Sequence, residues 1–474
     1  MSDITKVDTS LYKLLTTGAI IRLANRLLLN INKDIVNHNE RTAYISLKIA
    51  ENMKMSEKCS KQNLVFLSLF HTIGFFREDF TNIKDKDGSI QYFSKDKEIM
   101  SKYIFGCYYL EYMTPIKEDA RALETFNQPF NKDLKKYIYQ EEYKSILYLS
   151  ARISDFINKN PDKDLPENLN TLAPGYFDPE SVEVFDKIRK TTNIVEELKK
   201  GTYKQKLFDF IVKIDYPIEE HIKMVKLLIY LLDFKSTVTM KHSINTSCYA
   251  VCIGIRMHLT EKELVDLFIS AFLHDVGKIA IPSRILESPN KLSAKEREIM
   301  EKHVVYSKEI LNGIINGQIV ENVYRHHEKL NGTGYPNHVR GEYITLLQRI
   351  LTVADITSAL NDGRSYKEEY SKERVLGIIK EMTDLGELDP AVSNVIIKDF
   401  DDIQKELRYL QELLSVDFSI VIKKYNNYIF SDTDKYTEEL LSNENIGDIT
   451  DKFEDIDDVE EIEELEDLDE VEEL

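Results

Sequence analysis

The chain has 474 residues, 42% of them apolar, which is enough for two to four domains with buried cores. Its formal net charge is -20; the stretch 451–474 holds 15 acidic residues and one lysine, so -14 sits there and -6 on everything else. Such a surface gains nothing from a polyanion, which excludes a general nucleic-acid binder and an anionic-membrane binder. Cys59, Cys107, Cys248 and Cys252 make no CxxC pair and no zinc-finger spacing, and they are read as core residues of a protein kept in a reducing compartment.

Taken in order, the first twenty residues are acidic early and lack the long apolar segment of a signal peptide. No apolar run reaches 18 residues, since 224–234 is interrupted by Lys226 and Asp233, so the expectation is a cytoplasmic protein with no membrane span. Apolar residues at threes and fours predict helices over 40–53, 97–113, 218–232, 296–315 and 371–382. Nothing alternates as a sheet, and the fold class is therefore all-α. The 17 glycines and 11 prolines cluster at 161–179 and 331–341.

The chain repeats itself. EIMSKYIFGCYYLEYM at 98–113 resembles EIMEKHVVYSKEILNG at 298–313, and FLSLFHTIG at 66–74 parallels FISAFLHDVG at 268–277. His38 stands 33 residues before His71 as His242 stands 32 before His274, ARALE parallels YRHHE, and GYFDP parallels GELDP. One fold is expected twice, at 15–195 and 236–410, joined by a linker helix at 196–235. A helical extension at 411–450 and an acidic tail at 451–474 follow. The tail's apolar residues recur every three positions, which suits neither a heptad nor a helix, so it is read as disordered and solvated.

The copies differ where chemistry would live. Opposite Asp275 the first copy has Thr72, opposite His303 Tyr103, opposite His326 and His327 Ala122 and Leu123, and opposite Lys278 Phe75. Opposite Asp355 it has Arg152 or Ala151, depending on a one-residue gap. Hydroxyl and apolar groups cannot close a metal site. The second copy offers His242, His274, Asp275, His303, His326, His327 and Asp355. Seven groups exceed what one tetrahedral ion takes, so two ions sharing a carboxylate fit better, with Asp275 as the natural bridge. Lys278 would share a face with the His274-Asp275 pair if that helix continues, whereas Gly277 could equally end it. His258 and His338, outside this pattern, are read as satisfied core histidines.

The motifs HD with its lysine, HHE, NGTGYP (331–336), AD (354–355) and DGRSYK (362–367), in this order and spacing, resemble an HD-GYP domain, the phosphodiesterase branch of the HD superfamily, over about 241–397. The resemblance implies two tandem HD-type helical domains, the first degenerate. It implies hydrolysis of cyclic di-GMP to linear pGpG and onward to GMP by a hydroxide activated at a dinuclear metal site, with the mixed cyclic GMP-AMP as the alternative substrate. One ion would take His242, His274, Asp275 and Asp355, the other Asp275, His303, His326 and His327. Asp275 and Lys278 would carry the chemistry. Lys278, Arg364 and Lys367 would neutralise phosphate, while Gly332, Gly334, Tyr335 and Pro336 would shape a substrate wall with an aromatic face. Imidazole with carboxylate suits iron or manganese, with nickel or zinc also able to bind. The family's occasional third-metal glutamate is replaced by Val238, which points to a dinuclear site, while its frequent arginine is replaced by Asn245 and its proline by Ser365, and neither of these two changes removes a metal ligand. The first copy is expected to serve as a regulatory part, a homodimer surface or a dock for a signalling partner. A catalytically silent nucleotide-binding scaffold is the competing class.

Overall fold

The computed structural model describes residues 16–76, 90–217, 237–286, 290–361 and 370–430, with isolated positions 220, 223–224, 227–228, 231 and 288 between them. The described residues are helical and contain no strand. No described helix is long and apolar enough to cross a membrane. The expected helix at 218–232 falls largely outside the described residues, as do the acidic tail and the DGRSYK motif with Arg364 and Lys367.

The first half begins with α1 (Thr17–Ile31) and α2 (Lys33–Asn52), divided by Asn32, whose side chain accepts the amides of Asp34 and Ile35 and starts the second helix. There follow α3 (Lys61–Phe70), a 3-10 turn (Ile73–Phe76), α4 (Lys97–Met113), a second 3-10 stretch (Lys117–Leu123) and α5 (Gln140–Lys159). α6 (Pro179–Thr191), α7 (Ile194–Lys200) and α8 (Tyr203–Ile211) close this half.

The second half opens with a like order of helix, helix and 3-10 turn. α9 (Thr237–Arg256) has 20 residues, as α2 does, and is followed by α10 (Glu261–Leu273) and a 3-10 turn (Val276–Ala280). Then come α11 (Ala294–Glu301), α12 (His303–Leu311), α13 (Gly317–Tyr324), α14 (Leu346–Asn361), α15 (Lys372–Asp384) and α16 (Pro390–Phe430), the last with a non-helical residue at Asp399. α10 sits at the centre, packed on α9, α13 and α14. Its sequence is apolar on nearly every face, so it is buried on nearly every face, and a Thr260–Glu263 capping box satisfies its first amides.

Two helical expectations are corrected. The expected helix at 296–315 is two helices, because the Met300 carbonyl accepts the His303 imidazole at 2.7 Å and the backbone tightens at Lys302. The helix before the His274-Asp275 pair stops at Leu273: Asp275 leaves helical geometry (φ -100°, ψ 6°), and Lys278 lies in a 3-10 turn. His258 and His338 are exposed, each at a positive φ (58° and 55°), the first in a turn and the second in a loop, so neither is a core histidine. Of the four free cysteines, Cys107, Cys248 and Cys252 are buried, while Cys59 is half-buried.

Candidate metal centre

Three of the histidines share one local cause. His274, His303 and His326 each stand just beyond the end of a helix (α10, α11 and α13), where carbonyls lack intrahelical partners. Each donates from Nδ1 to the carbonyl three residues back: Ala271 at 2.6 Å, Met300 at 2.7 Å and Val323 at 2.6 Å. A carbonyl can only accept, so a proton is fixed on Nδ1 and Nε2 is the atom turned to the site.

All three Nε2 atoms point into one space. His303 Nε2 lies 3.4 Å from His326 Nε2 and 3.4 Å from Asp275 Oδ1, and His274 Nε2 lies 3.2 Å from Asp275 Oδ2. On the other side His242, from α9, sets Nε2 at 2.9 Å from Asp355 Oδ1, while its Nδ1 meets the Ser358 hydroxyl at 3.0 Å. His327 Nδ1 is 3.6 Å from Asp355 Oδ2. Three overlapping sets could each hold an ion: His303 with His326 and His327, His242 with His274 and Asp355, and His274 with Asp275 and His326. All seven candidate ligands are thus brought together.

The charge state suits a cation. Burial pushes His303 down to about 4 and His327 to about 3, and drives His326 well below the ordinary imidazole value, so these three offer lone pairs. Burial also acts to lower His274, but the adjoining carboxylates of Asp275 and Asp355 outweigh it and raise the group to about 10. Burial disfavours charge on Asp275 and Asp355 as well, yet His274 and Lys278 hold the first well below the usual carboxylate range, and the His242 hydrogen bond with the nearby His274 ring holds the second there. His274 Nε2 and Asp275 Oδ1 have no hydrogen-bond partner although both are buried. Two anionic carboxylates beside the neutral imidazoles of His303, His326 and His327 are a donor set that fits divalent ions, and a cation at His274 Nε2 would take the place of the proton that Asp275 and Asp355 favour there.

Lys278 ion-pairs with Asp275 and borders the site. The 3-10 turn that carries it packs against α12, and Gly277 makes the approach possible: a Cβ there would meet the His303 carbonyl at 2.0 Å and Ser307 N at 2.5 Å. Ser307 locks the contact, accepting the Gly277 amide at 2.8 Å and donating to the His274 carbonyl at 3.0 Å. The loop 331–340 closes another wall. Gly332 has φ 79°, a conformation only glycine adopts easily, and at Gly334 a Cβ would meet the His327 carbonyl at 2.4 Å. Tyr335 stands 4.7 Å from the His327 ring, half-exposed, followed by Pro336 through a cis bond.

Glu328, the last residue of HHE, carries a role that the sequence reading did not assign. It is buried, and its two oxygens accept the amides of Asn337 at 2.7 Å and Val339 at 3.1 Å, tying the loop to the histidine pair. Ser358, three residues after Asp355 and so on the same face of α14, was likewise missed. The AD motif was the available signal for Ser358, and HHE for Glu328.

The first half places different groups at the corresponding positions. His71 keeps the helix-end arrangement, donating to the Ser68 carbonyl at 2.8 Å, and Ser154 donates to the His38 carbonyl at 3.1 Å as Ser358 does to that of His242 at 3.4 Å. That second pairing sets the register, so the residue opposite Asp355 is Ala151. Where the second half gathers ligands, the first gathers rings: Tyr92 stacks on His38 at 4.2 Å, and Tyr103 packs on Phe126 at 4.6 Å and on Phe75 at 5.2 Å.

A family model described as an HD domain matches residues 226–392. Over 402 residues the chain is 24% identical to 3'3'-cGAMP-specific phosphodiesterase 1 of Vibrio cholerae serotype O1, a match covering 79% of this chain and 89% of that protein. It is 30% identical over 215 residues to 3'3'-cGAMP-specific phosphodiesterase 3 of the same organism (44% of this chain, 46% of the relative). To the cyclic di-GMP phosphodiesterase response regulator RpfG of Xanthomonas campestris pv. campestris it is 37% identical over 132 residues (27% of this chain, 34% of the relative). The matches thus span less than half the length of these last two relatives. Among solved structures, the crystal structure of a cyclic GMP-AMP-specific phosphodiesterase of V. cholerae, V-cGAP3, aligns with a TM-score of 0.53 at 19% identity, covering 82% of this chain and 98% of that one, and shows the same fold.

Proposed function

From residues 226–392 being an HD domain homologous to the HD-GYP cyclic-dinucleotide phosphodiesterases, we propose that this chain hydrolyses a cyclic dinucleotide with two divalent ions. The observation that carries the reading is the convergence of seven ligating groups around Asp275, with His274 Nε2 and Asp275 Oδ1 unsatisfied. His242, His274, Asp275 and Asp355 would hold one ion, and Asp275, His303, His326 and His327 the other. Bound there, the pair would lower the pKa of a shared water toward about 7 and neutralise phosphate oxygens.

The chain's own residues supply the rest. Carbonyls at three helix ends hold the imidazoles in one tautomer, so the ligands are oriented before any ion arrives. Lys278 stands beside Asp275, where its ammonium would meet the scissile phosphate. Tyr335 presents its ring to a base, and Gly332, Gly334 and Pro336 fix that wall, with Arg364 and Lys367 as further phosphate partners. Water adds to phosphorus, the bond from phosphorus to O3' breaks, and its proton goes to O3', which leaves a 5'-phosphate and a free 3'-hydroxyl.

The resemblance of the motifs favours cyclic di-GMP, opened to pGpG and then to GMP. One observation favours 3'3'-cGAMP instead: the match extending over 89% of a relative is to a cGAMP-specific enzyme, whereas the match to RpfG covers 34% of that protein. Metal analysis of anaerobically purified protein, with turnover measured on both dinucleotides, tests the reading. Two ions per chain and opening of either ring are expected. Metal-loaded, folded protein that opens neither ring would leave the scaffold reading in place.

A further inference from the structure

α1 belongs to the first half, yet it packs against the second half's Val276–Ala280 turn and against α12. Arg22 and Arg26, one helical turn apart, face the end of α12. Arg26 Nη1 donates to the carbonyls of Ile310 at 2.8 Å and Asn312 at 2.8 Å and reaches that of Glu309 at 3.4 Å, while Arg22 Nη2 donates to Gly313 at 3.3 Å. The carbonyls of Glu309 and Ile310 are among those a helix leaves without intrahelical partners, at the end where its dipole favours a cation, and those of Asn312 and Gly313 follow directly after it. The helix ends at Leu311, Asn312 leaves helical geometry and Gly313, at φ 71°, turns the chain away, so the guanidinium supplies a cap.

α12 links three parts of the site. Its first residue is His303, its middle residue Ser307 clamps both Gly277 and His274, and its last turn is held by Arg26. A short helix packed this closely moves as a body, so what sets its last turn also sets its first residue.

We infer that Arg26 is a positioning residue: the first half, whose described residues gather no metal-holding cluster, fixes the metal centre of the second by capping α12 through the Arg26 guanidinium. This rests on the metal-site reading above and adds the coupling between the halves.

The test uses the full chain with Arg26→Ala and Arg26→Lys, the lysine retaining a donor for the same carbonyls. In the metal-free protein, hydrogen exchange in 274–281 and 303–311 should rise about tenfold in Arg26→Ala relative to 346–361, and less in Arg26→Lys. In titrations with Mn²⁺, one of the two ions should bind at least about tenfold more weakly in Arg26→Ala, the size expected when an outer partner of a ligand is lost. A contact that served stability alone would raise exchange evenly and leave both ions at wild-type affinity, and that result overturns the inference. Should Arg26→Ala fail to fold, Arg22→Ala, which removes a single bond at the same helix end, is held to the same two readouts. If wild-type protein binds no ion the metal reading falls, and the exchange ratio alone still decides the coupling.

Discussion

Gly277 and Gly74 occupy the same place in the two halves, and replacing each with alanine separates packing from chemistry. At Gly277 the added Cβ would lie 2.0 Å from the His303 carbonyl oxygen, and at Gly74 it would lie 2.2 Å from the Lys102 carbonyl oxygen. Cβ atoms essentially never approach closer than 3.0 Å, so each turn must part from its helix by about 1 Å. Both obstacles are backbone and cannot rotate away. The cost in each half is about 1–3 kcal/mol, or roughly 2–4 °C of melting temperature per kcal/mol in a domain of this size. The functional cost differs, because a site needs its groups within about 0.5 Å of their working positions. In Gly277→Ala the parting separates His274 and Asp275 from His303, so one or both ions and nearly all turnover should be lost. Gly74→Ala should melt lower to a similar degree yet retain both ions at a temperature where it is folded. Thermal denaturation of the metal-free proteins, plasma mass spectrometry of the loaded ones and turnover on a cyclic dinucleotide give the three numbers. Gly277→Ala with full metal and activity, or Gly74→Ala stripped of metal while folded, would refute the reasoning.

Other changes probe single groups. Asp275→Ala removes the one carboxylate shared by both proposed ion sets, so metal content should fall to near zero and activity with it, by the same mass-spectrometric count. Glu328→Gln keeps shape but turns one acceptor oxygen into a donor facing an amide; the loss of one charged hydrogen bond, about 1.5–3 kcal/mol, should loosen 331–340 and raise KM severalfold with two ions still bound. Arg364→Ala should raise KM in steady-state assays without altering metal content, and a loss of metal there would remove Arg364 from the substrate role.

Fold class was legible because helical periodicity is written in the order of apolar residues, and the seven candidate ligands were legible because the two halves could be compared position by position. What escaped that reading was contact between side chains and backbone across sequence distance. The Ser307 clamp on Gly277 spans 30 residues, and Arg26 reaches α12 across more than 280. Neither leaves a period or a motif behind. The break at Lys302 was hidden for a related reason, since the apolar pattern runs through it while the His303 side chain takes the carbonyl that a continuous helix would use. For Asp355, sequence left the opposite residue open between two candidates, and the two serine-to-histidine-carbonyl bonds settled it on Ala151.

The ring cluster of the first half bears on how such a chain can change over time. Introducing a ligand there means working against filled volume. Tyr103→His would take a ring away from Phe75 and Phe126 and leave the Tyr92 carbonyl without the hydroxyl that donates to it at 3.1 Å. Ala122→His would add atoms to a fully packed position. Each step costs about 1–5 kcal/mol, and none returns anything until the whole ligand set is present. Selection, which sees one substitution at a time, meets a barrier at every step toward coordination and none in remaining as it is. Such filling acts as a ratchet: a centre occupied by packed rings can change what it touches one substitution at a time, whereas coordination needs several at once.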